Sequence, residues 1–211
     1  MTNAQLYTRI REIPYKEIGR GLSYQHWIDL EESKVYVLFE GSNGLRDWFH
    51  NLLFLPIFTK PYRMMRRWWF CHWGFRRVWR SGNDQVIEET CHYLTTLKDH
   101  EVIFAGYSHG GALAQLAAED FFFRFGIRCK CIVFGAPRLA WLLRSARHLR
   151  RSMILTNWRN RNDLITHVPF TFLGFFHATR DHLRRRLNPF WLLFRIHREH
   201  QIYGREDLYP S

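Results

Sequence analysis

The tightest constraint in this chain is a turn. Glu101–Ala105 (EVIFA) is a short apolar run of the kind that forms a buried strand. It leads straight into Gly106-Tyr107-Ser108-His109-Gly110-Gly111, and an alanine-rich helical segment follows to about Phe125. A strand that turns into a helix this abruptly needs small residues at the turn. Cβ atoms at 106 and 110 would strike the neighbouring strand and helix, and Gly111 and Ala112 let the helix pack closely. The turn displays Ser108 at a helix N-terminus, where backbone N–H groups favour developing negative charge. The pattern Gly-x-Ser-x-Gly arises easily by chance. The strand before it and the helix after it give it weight.

Strands and helices alternate along the rest of the chain. Tyr24–Leu30 and Val35–Phe39 read as strands, the second ending at Glu40-Gly41. Leu45–Leu55 reads as a short amphipathic helix stopped before Pro56, and Asn83–Lys98 has helical spacing. Cys129–Phe134 reads as a strand ending at Gly135-Ala136-Pro137, and Met153–Trp158 as another, followed by the polar Arg159–Asp163. This order predicts an α/β fold with a mostly parallel central sheet and helices on both faces. No repeat or linker interrupts it, so residues 1–211 are expected to form a single domain.

Composition excludes some functions. Hydrophobic residues make up 46% and aromatics 17%, so this is no disordered basic tail. Lys+Arg 31 against Asp+Glu 19 gives +12, which calls for an anionic partner, either nucleic acid or a membrane surface. Cys71, Cys91, Cys129 and Cys131 have no zinc or redox spacing and are expected to be reduced and buried. Met1–Glu17 holds no apolar signal-peptide core, and no run reaches 18 apolar residues. The expected location is the cytoplasm, with no signal peptide or transmembrane helix and at most peripheral membrane contact.

A nucleophilic serine on such a turn needs an acid and then a histidine later in the chain. Asp163 follows a predicted strand, where such an acid belongs. Five histidines come after it: His167, His177, His182, His197 and His200. Spacing alone does not choose among them.

Several ordered motifs resemble the class 3 (fungal-type triacylglycerol) lipase family of the α/β-hydrolase superfamily. Val35–Trp48 (VYVLFEGSNGLRDW) is similar to the family's strand, F-R-G-[ST] loop and lid start. Asn51–Tyr62 resembles the lid and its hinge, and His72-Trp73-Gly74-Phe75 the H-x-G-F segment. Gly106–Ala112 matches G-H-S-L-G-G, and Phe134–Arg138 resembles F-G-x-P-R. Asn160–Ala178 is similar to the acid loop and the H-x-G region beyond it. His200-Gln201-Ile202-Tyr203 resembles the closing H-x-x-Y.

The resemblance implies roles. Ser108 would be the nucleophile, Asp163 the acid and His200 the base, with His182 second and His197 third as candidates for the base. His177 would match a non-catalytic histidine. The oxyanion hole would use Ser42 and the backbone N–H of His109. A lid would span about 42–58, with Trp48, Phe49, Leu52, Leu53 and Phe54 on its apolar face. The substrate would be a lipid ester, with no cofactor and no metal. Three positions depart from the family: Glu40 replaces Arg, Tyr107 replaces His, and His109 replaces Leu. They bear on substrate preference and rate. Glu40 would be unhelpful facing an oxyanion, so it is expected to turn away.

The basic stretches Arg66–Arg80 and Leu183–Arg198 mix arginine with tryptophan and phenylalanine. Such mixtures suit a headgroup interface. With a lipase-like site nearby, the charge reads as membrane contact in preference to nucleic acid. Oligomeric state is not indicated. Two functions stay open: a lipase or esterase, phospholipids included among its substrates, and a catalytically silent lipase-like protein that binds anionic membranes or nucleic acid.

Overall fold

The computed structural model describes residues 1–41, 69–179, 183 and 196–210. Ser42, the expected lid with its apolar residues, His182 and most of Leu183–Arg198 lie outside the described residues, as do Arg66, Arg67 and Trp68.

The elements run α1 (Asn3–Glu12), β1 (Lys16–Ile18), β2 (Leu22–Asp29), β3 (Lys34–Phe39), β4 (Phe70–Cys71), α2 (Trp73–Arg80) and α3 (Asn83–Thr96). They continue β5 (Glu101–Tyr107), α4 (His109–Phe125), β6 (Lys130–Phe134), β7 (Ala140–Trp141), α5 (Leu142–Ser152), β8 (Ile154–Trp158), β9 (Phe175–Phe176) and α6 (Ile196–His200). The main sheet has the order β1-β2-β3-β5-β6-β8. Its last four strands are parallel, and β1 and β2 add an antiparallel edge. A second, antiparallel sheet β4-β7-β9 has only two-residue strands, too short to show in a sequence pattern.

Alternation along the central strands divides the core. Val102 and Phe104 of β5 face one side with Val37 and Phe39 of β3, packed under α2–α5. Ile103, Ala105 and Tyr107 face the other, packed against Leu6, Tyr7 and Ile10 of α1 and against Tyr203, Leu208 and Tyr209. Each fully buried aliphatic or phenyl side chain contributes roughly 1.5–3 kcal/mol. Both faces being buried explains why these strands read as continuous apolar runs.

Helices α1 and α5 went unseen in the sequence because polar residues dominate their composition. In α1 the buried Ala4, Leu6, Tyr7 and Ile10 make a narrow apolar stripe behind a Thr2 capping box. In α5 the buried face is Ser145, Ala146, Leu149 and Ser152, and arginines fill the outer face. Buried Asp120 ties the helical layer together. It accepts from Trp79 Nε1 of α2 at 3.1 Å, Asn83 Nδ2 of α3 at 3.1 Å and Arg124 Nε at 2.9 Å.

Register places the functional region. Phe39 pairs with Gly106 and Tyr107 with Phe134, so β3, β5 and β6 end level at one edge of the sheet. The elbow, Gly135 and the loop after β8 all leave from that edge.

Candidate active site

Ser108 stands between β5 and α4 with φ 53° and ψ −122°, a conformation that costs an ordinary L-residue roughly 1–3 kcal/mol. The surroundings hold it there. Its N–H donates to Phe134 O at 2.9 Å, and Gly111 N–H donates back to Ser108 O at 3.0 Å. A Cβ on Gly106 would come within 2.3 Å of Gly110 O, and one on Gly110 within 2.3 Å of Phe39 O. Both glycines are therefore required by close approach, as the sequence implied.

The loop after β8 carries Asp163, which is fully buried. Its Oδ1 accepts from Ile165 N at 3.0 Å, capping the 3-10 turn Leu164–His167. Its Oδ2 meets His200 Nδ1 at 2.7 Å and accepts from Tyr203 Oη at 2.8 Å. Burial, then the Asp163 carboxylate, push the Tyr203 phenol well above its usual range, so it stays a donor. Tyr203 Oη in turn accepts from Asn160 N at 2.9 Å. Asn160 Nδ2 donates to Glu199 O at 2.8 Å and to Glu199 Oε2 at 2.9 Å. This network joins the acid loop to α6, and hence Asp163 to His200.

With Nδ1 engaged by Asp163, His200 presents Nε2. That atom and Ser108 Oγ are both buried, and neither has a hydrogen-bond partner among the described residues. They are the two atoms between which a serine proton would pass. Both lie at the Phe134-Gly135 corner: Ser108 is bonded to Phe134, and a Cβ on Gly135 would sit 3.1 Å from His200 Cε1 and 3.2 Å from Asp163 Oδ2.

Tyr107 holds the histidine from behind. Its hydroxyl donates to His200 O at 2.9 Å, and its ring lies 4.7 Å from the imidazole at 31°. Arg11 covers the Tyr107 ring at 5.2 Å, and Tyr7 meets it edge-on at 5.2 Å. The N-terminal helix thus backs the site, which no motif had signalled.

The other described histidines are engaged elsewhere. His177 accepts from Asn157 Nδ2 at 3.1 Å and donates to Thr166 O at 2.7 Å; burial holds it well below the usual histidine range. His167 donates through Nε2 to Arg161 O at 3.0 Å. The backbone of His197 lies in α6 and its side chain lies outside the described residues. Among the described side chains, His200 is the one that Asp163 orients.

The His109 N–H lies in the first turn of α4, where backbone donors have no partner within the helix. Burial and neighbouring His72 push the His109 imidazole down to about 4, so it adds no charge beside Ser108 near neutral pH. Its ring packs 5.3 Å from Phe75 of the H-x-G-F segment. The Glu40 carboxylate acts on Tyr15, where burial first and Glu40 second raise the phenol.

Residues 36–173, well over half of the chain, match the family described as lipase (class 3). The chain belongs to the class 3 lipase family. The relatives of this class 3 lipase domain include a Rhizomucor miehei lipase, 24% identical over 161 residues, covering 72% of this chain and 42% of that protein. A secreted mono- and diacylglycerol lipase A of Penicillium cyclopium is 23% identical over 155 residues, covering 74% and 49%. This chain thus spans about half the length of the curated relatives it matches. A solved triacylglycerol lipase, reported as having a serine protease triad at its catalytic centre, superposes with TM-score 0.70 at 22% identity, covering 81% of this chain and 64% of that one. The superposition establishes a shared α/β-hydrolase fold. Among the described residues no group of His, Cys, Asp or Glu could hold a metal ion, and no helix is long and apolar enough to cross a membrane.

Proposed function

We propose that this protein is a serine hydrolase that cleaves carboxylic esters of lipids. The observation that carries this reading is the buried His200–Asp163 pair at 2.7 Å beside a serine held at φ 53° on a strand–helix elbow. Membership of a lipase family and the names of the relatives support the substrate class.

In this mechanism His200 Nε2 takes the Ser108 proton as Oγ attacks the ester carbonyl. The imidazolium then protonates the departing alcohol, and water hydrolyses the acyl-enzyme by the same steps reversed. Asp163 fixes the tautomer and stabilises the imidazolium, while Tyr203 and Ile165 hold Asp163. The His109 N–H and Ser42 would bind the oxyanion; losing one such donor costs about 100- to 1000-fold in rate. Residues 42–58 would be the lid, its Trp48, Phe49, Leu52, Leu53 and Phe54 facing lipid. Glycerolipids of membranes, phospholipids included, are the proposed substrates, reached by peripheral contact with an anionic surface. Four free thiols, three of them buried, support a reducing compartment such as the cytoplasm.

Hydrolysis of a chromogenic short-chain ester tests the assignment. Ser108→Ala should abolish turnover while leaving the unfolding transition in place. Turnover that survives in a folded Ser108→Ala protein would refute it.

A further inference from the structure

One apolar projection on the surface has no part in the site just described. Leu142 and Leu143 open α5 and are 40% and 53% exposed; Phe172 and Leu173 in the loop before β9 are 81% and 38% exposed. These four belong to one knuckle. Leu142 N–H donates to Gly174 O at 2.7 Å, Trp141 Nε1 donates to Leu173 O at 3.0 Å, and Trp141 pairs with Phe175 in the small sheet. The contacts fix the backbone rigidly and leave the apolar tips pointing outward. Hydrophobic tips on a rigid support, with their backbone already satisfied, suit insertion between lipid headgroups.

Charge continues from the knuckle along α5. Arg144, Arg147 and Arg151 follow at helical spacing on the same outer face as Leu143, all exposed. The helix contains no acidic residue, and among the described residues none of the three arginines is in an ion pair. Charge is unevenly spread over the molecule. Glu12, Asp29, Glu31 and Glu32 line a groove beside α1 and β2, toward the antiparallel edge of the sheet, whereas α5 packs on β8 at the opposite edge. That groove also holds Arg9 and the N-terminal amine, which pairs with Glu32, so its charges are mixed, and an anionic surface attracts the all-basic α5 side more strongly.

We propose that the Leu142–Leu143/Phe172–Leu173 knuckle and the α5 arginine stripe form the surface by which this protein docks on an anionic phospholipid bilayer. The knuckle inserts at the acyl boundary, and Arg144, Arg147 and Arg151 lie against the headgroup phosphates. Both arms of the knuckle grow from the C-terminal edge of the sheet, the edge that carries Ser108, Asp163 and His200. Docking at the knuckle brings the bilayer next to that edge. The inference rests on the lipid-hydrolase reading for why a membrane is the partner. It differs from the lid and from the Arg66–Arg80 and Leu183–Arg198 stretches in the residues it names.

Vesicle co-sedimentation tests it with the full chain, using phosphatidylcholine vesicles with and without phosphatidylglycerol. Wild type should pellet with the anionic vesicles and be released by salt. Leu143→Ser with Phe172→Ser should weaken binding by about tenfold or more per side chain. The triple change Arg144→Gln, Arg147→Gln and Arg151→Gln should weaken it on the order of a hundredfold and flatten the salt dependence. Labelling by a fluorophosphonate in vesicle-free buffer should be unchanged in both variants, because neither touches the triad. Wild type that binds vesicles and takes no label would refute the hydrolase reading while leaving the docking surface supported. Variants that bind like wild type, or a wild type that ignores anionic vesicles, would overturn the docking surface. So would a wild type that binds RNA or DNA through the stripe and ignores vesicles.

Discussion

Tyr203 and Tyr107 show how much of the site depends on single hydroxyls. Tyr203 is one of three donors to Asp163, and a hydrogen bond to a buried carboxylate is worth about 1.5–3 kcal/mol. Tyr203→Phe removes it and also leaves Asn160 N–H without its acceptor. Ester turnover should fall about 10- to 100-fold in kcat with KM little changed, as a melting scan reports lower stability. Tyr107→Phe keeps the ring against His200 and loses the hydroxyl's bond to its carbonyl together with the hydroxyl's contact with Tyr7, so a several-fold loss in kcat is expected. Equal losses in the two variants would mean that the Tyr107 hydroxyl, through the His200 carbonyl, positions the base as much as the Tyr203 bond to Asp163 does. At this scale the sequence was legible where a motif demanded a residue type: Ser108, Asp163, His200, Gly106 and Gly110 all stand where the turn and the ordered motifs put them. The work of Tyr107, Asn160, Glu199 and Arg11 was not legible. Each acts through a contact more than 30 residues distant in sequence, and such contacts leave no local spacing.

The elements divide along the same line. Strands β3, β5, β6 and β8 were readable to within two residues at each end; burial on both faces makes β3 and β5 nearly continuous apolar runs, whereas β8, the half-exposed edge strand Ile154–Trp158, showed through its apolar start and the polar loop that follows. α1 and α5 were not, because each buries only a narrow stripe and shows arginine and polar residues to solvent. The contact between β2 and α3 carries a pH dependence of its own. His26 lies buried there, donating through Nε2 to Thr90 Oγ1 at 3.0 Å, since that hydroxyl spends its own proton on Val86 O. Burial first lowers its pKa to about 4; the Glu89 carboxylate opposes this and Lys16 adds to it. A histidine whose folded pKa is depressed takes up protons more readily when unfolded. Its contribution is therefore complete above about pH 6.5 and is lost as pH falls toward about 4. The shift corresponds to on the order of 3 kcal/mol. Denaturant unfolding followed across that window should show stability falling with pH, and His26→Gln should reduce the slope. An unchanged slope would place the acid sensitivity at another buried histidine.

On the scale of the whole molecule, one edge of one sheet gathers residues far apart in the chain. Position 108 comes from the β5–α4 elbow, 163 from the loop after β8, and 200 from α6 near the C-terminus. The N-terminal helix closes the site from behind through Tyr7, Arg11 and Tyr107. Family membership accounts for that layout. The net charge of +12 is not part of this chemistry; in the proposed docking its excess on α5 serves to hold the molecule on an anionic bilayer. Whether the gathered residues work as a unit is open to a direct measurement: fluorophosphonate labelling with the modified residue located by mass spectrometry. Wild type should be modified once, at Ser108, and His200→Ala should slow that modification at least about 1000-fold while the fold persists. Labelling at another residue, no labelling at all, or a His200→Ala protein that labels as fast as wild type would contradict the triad.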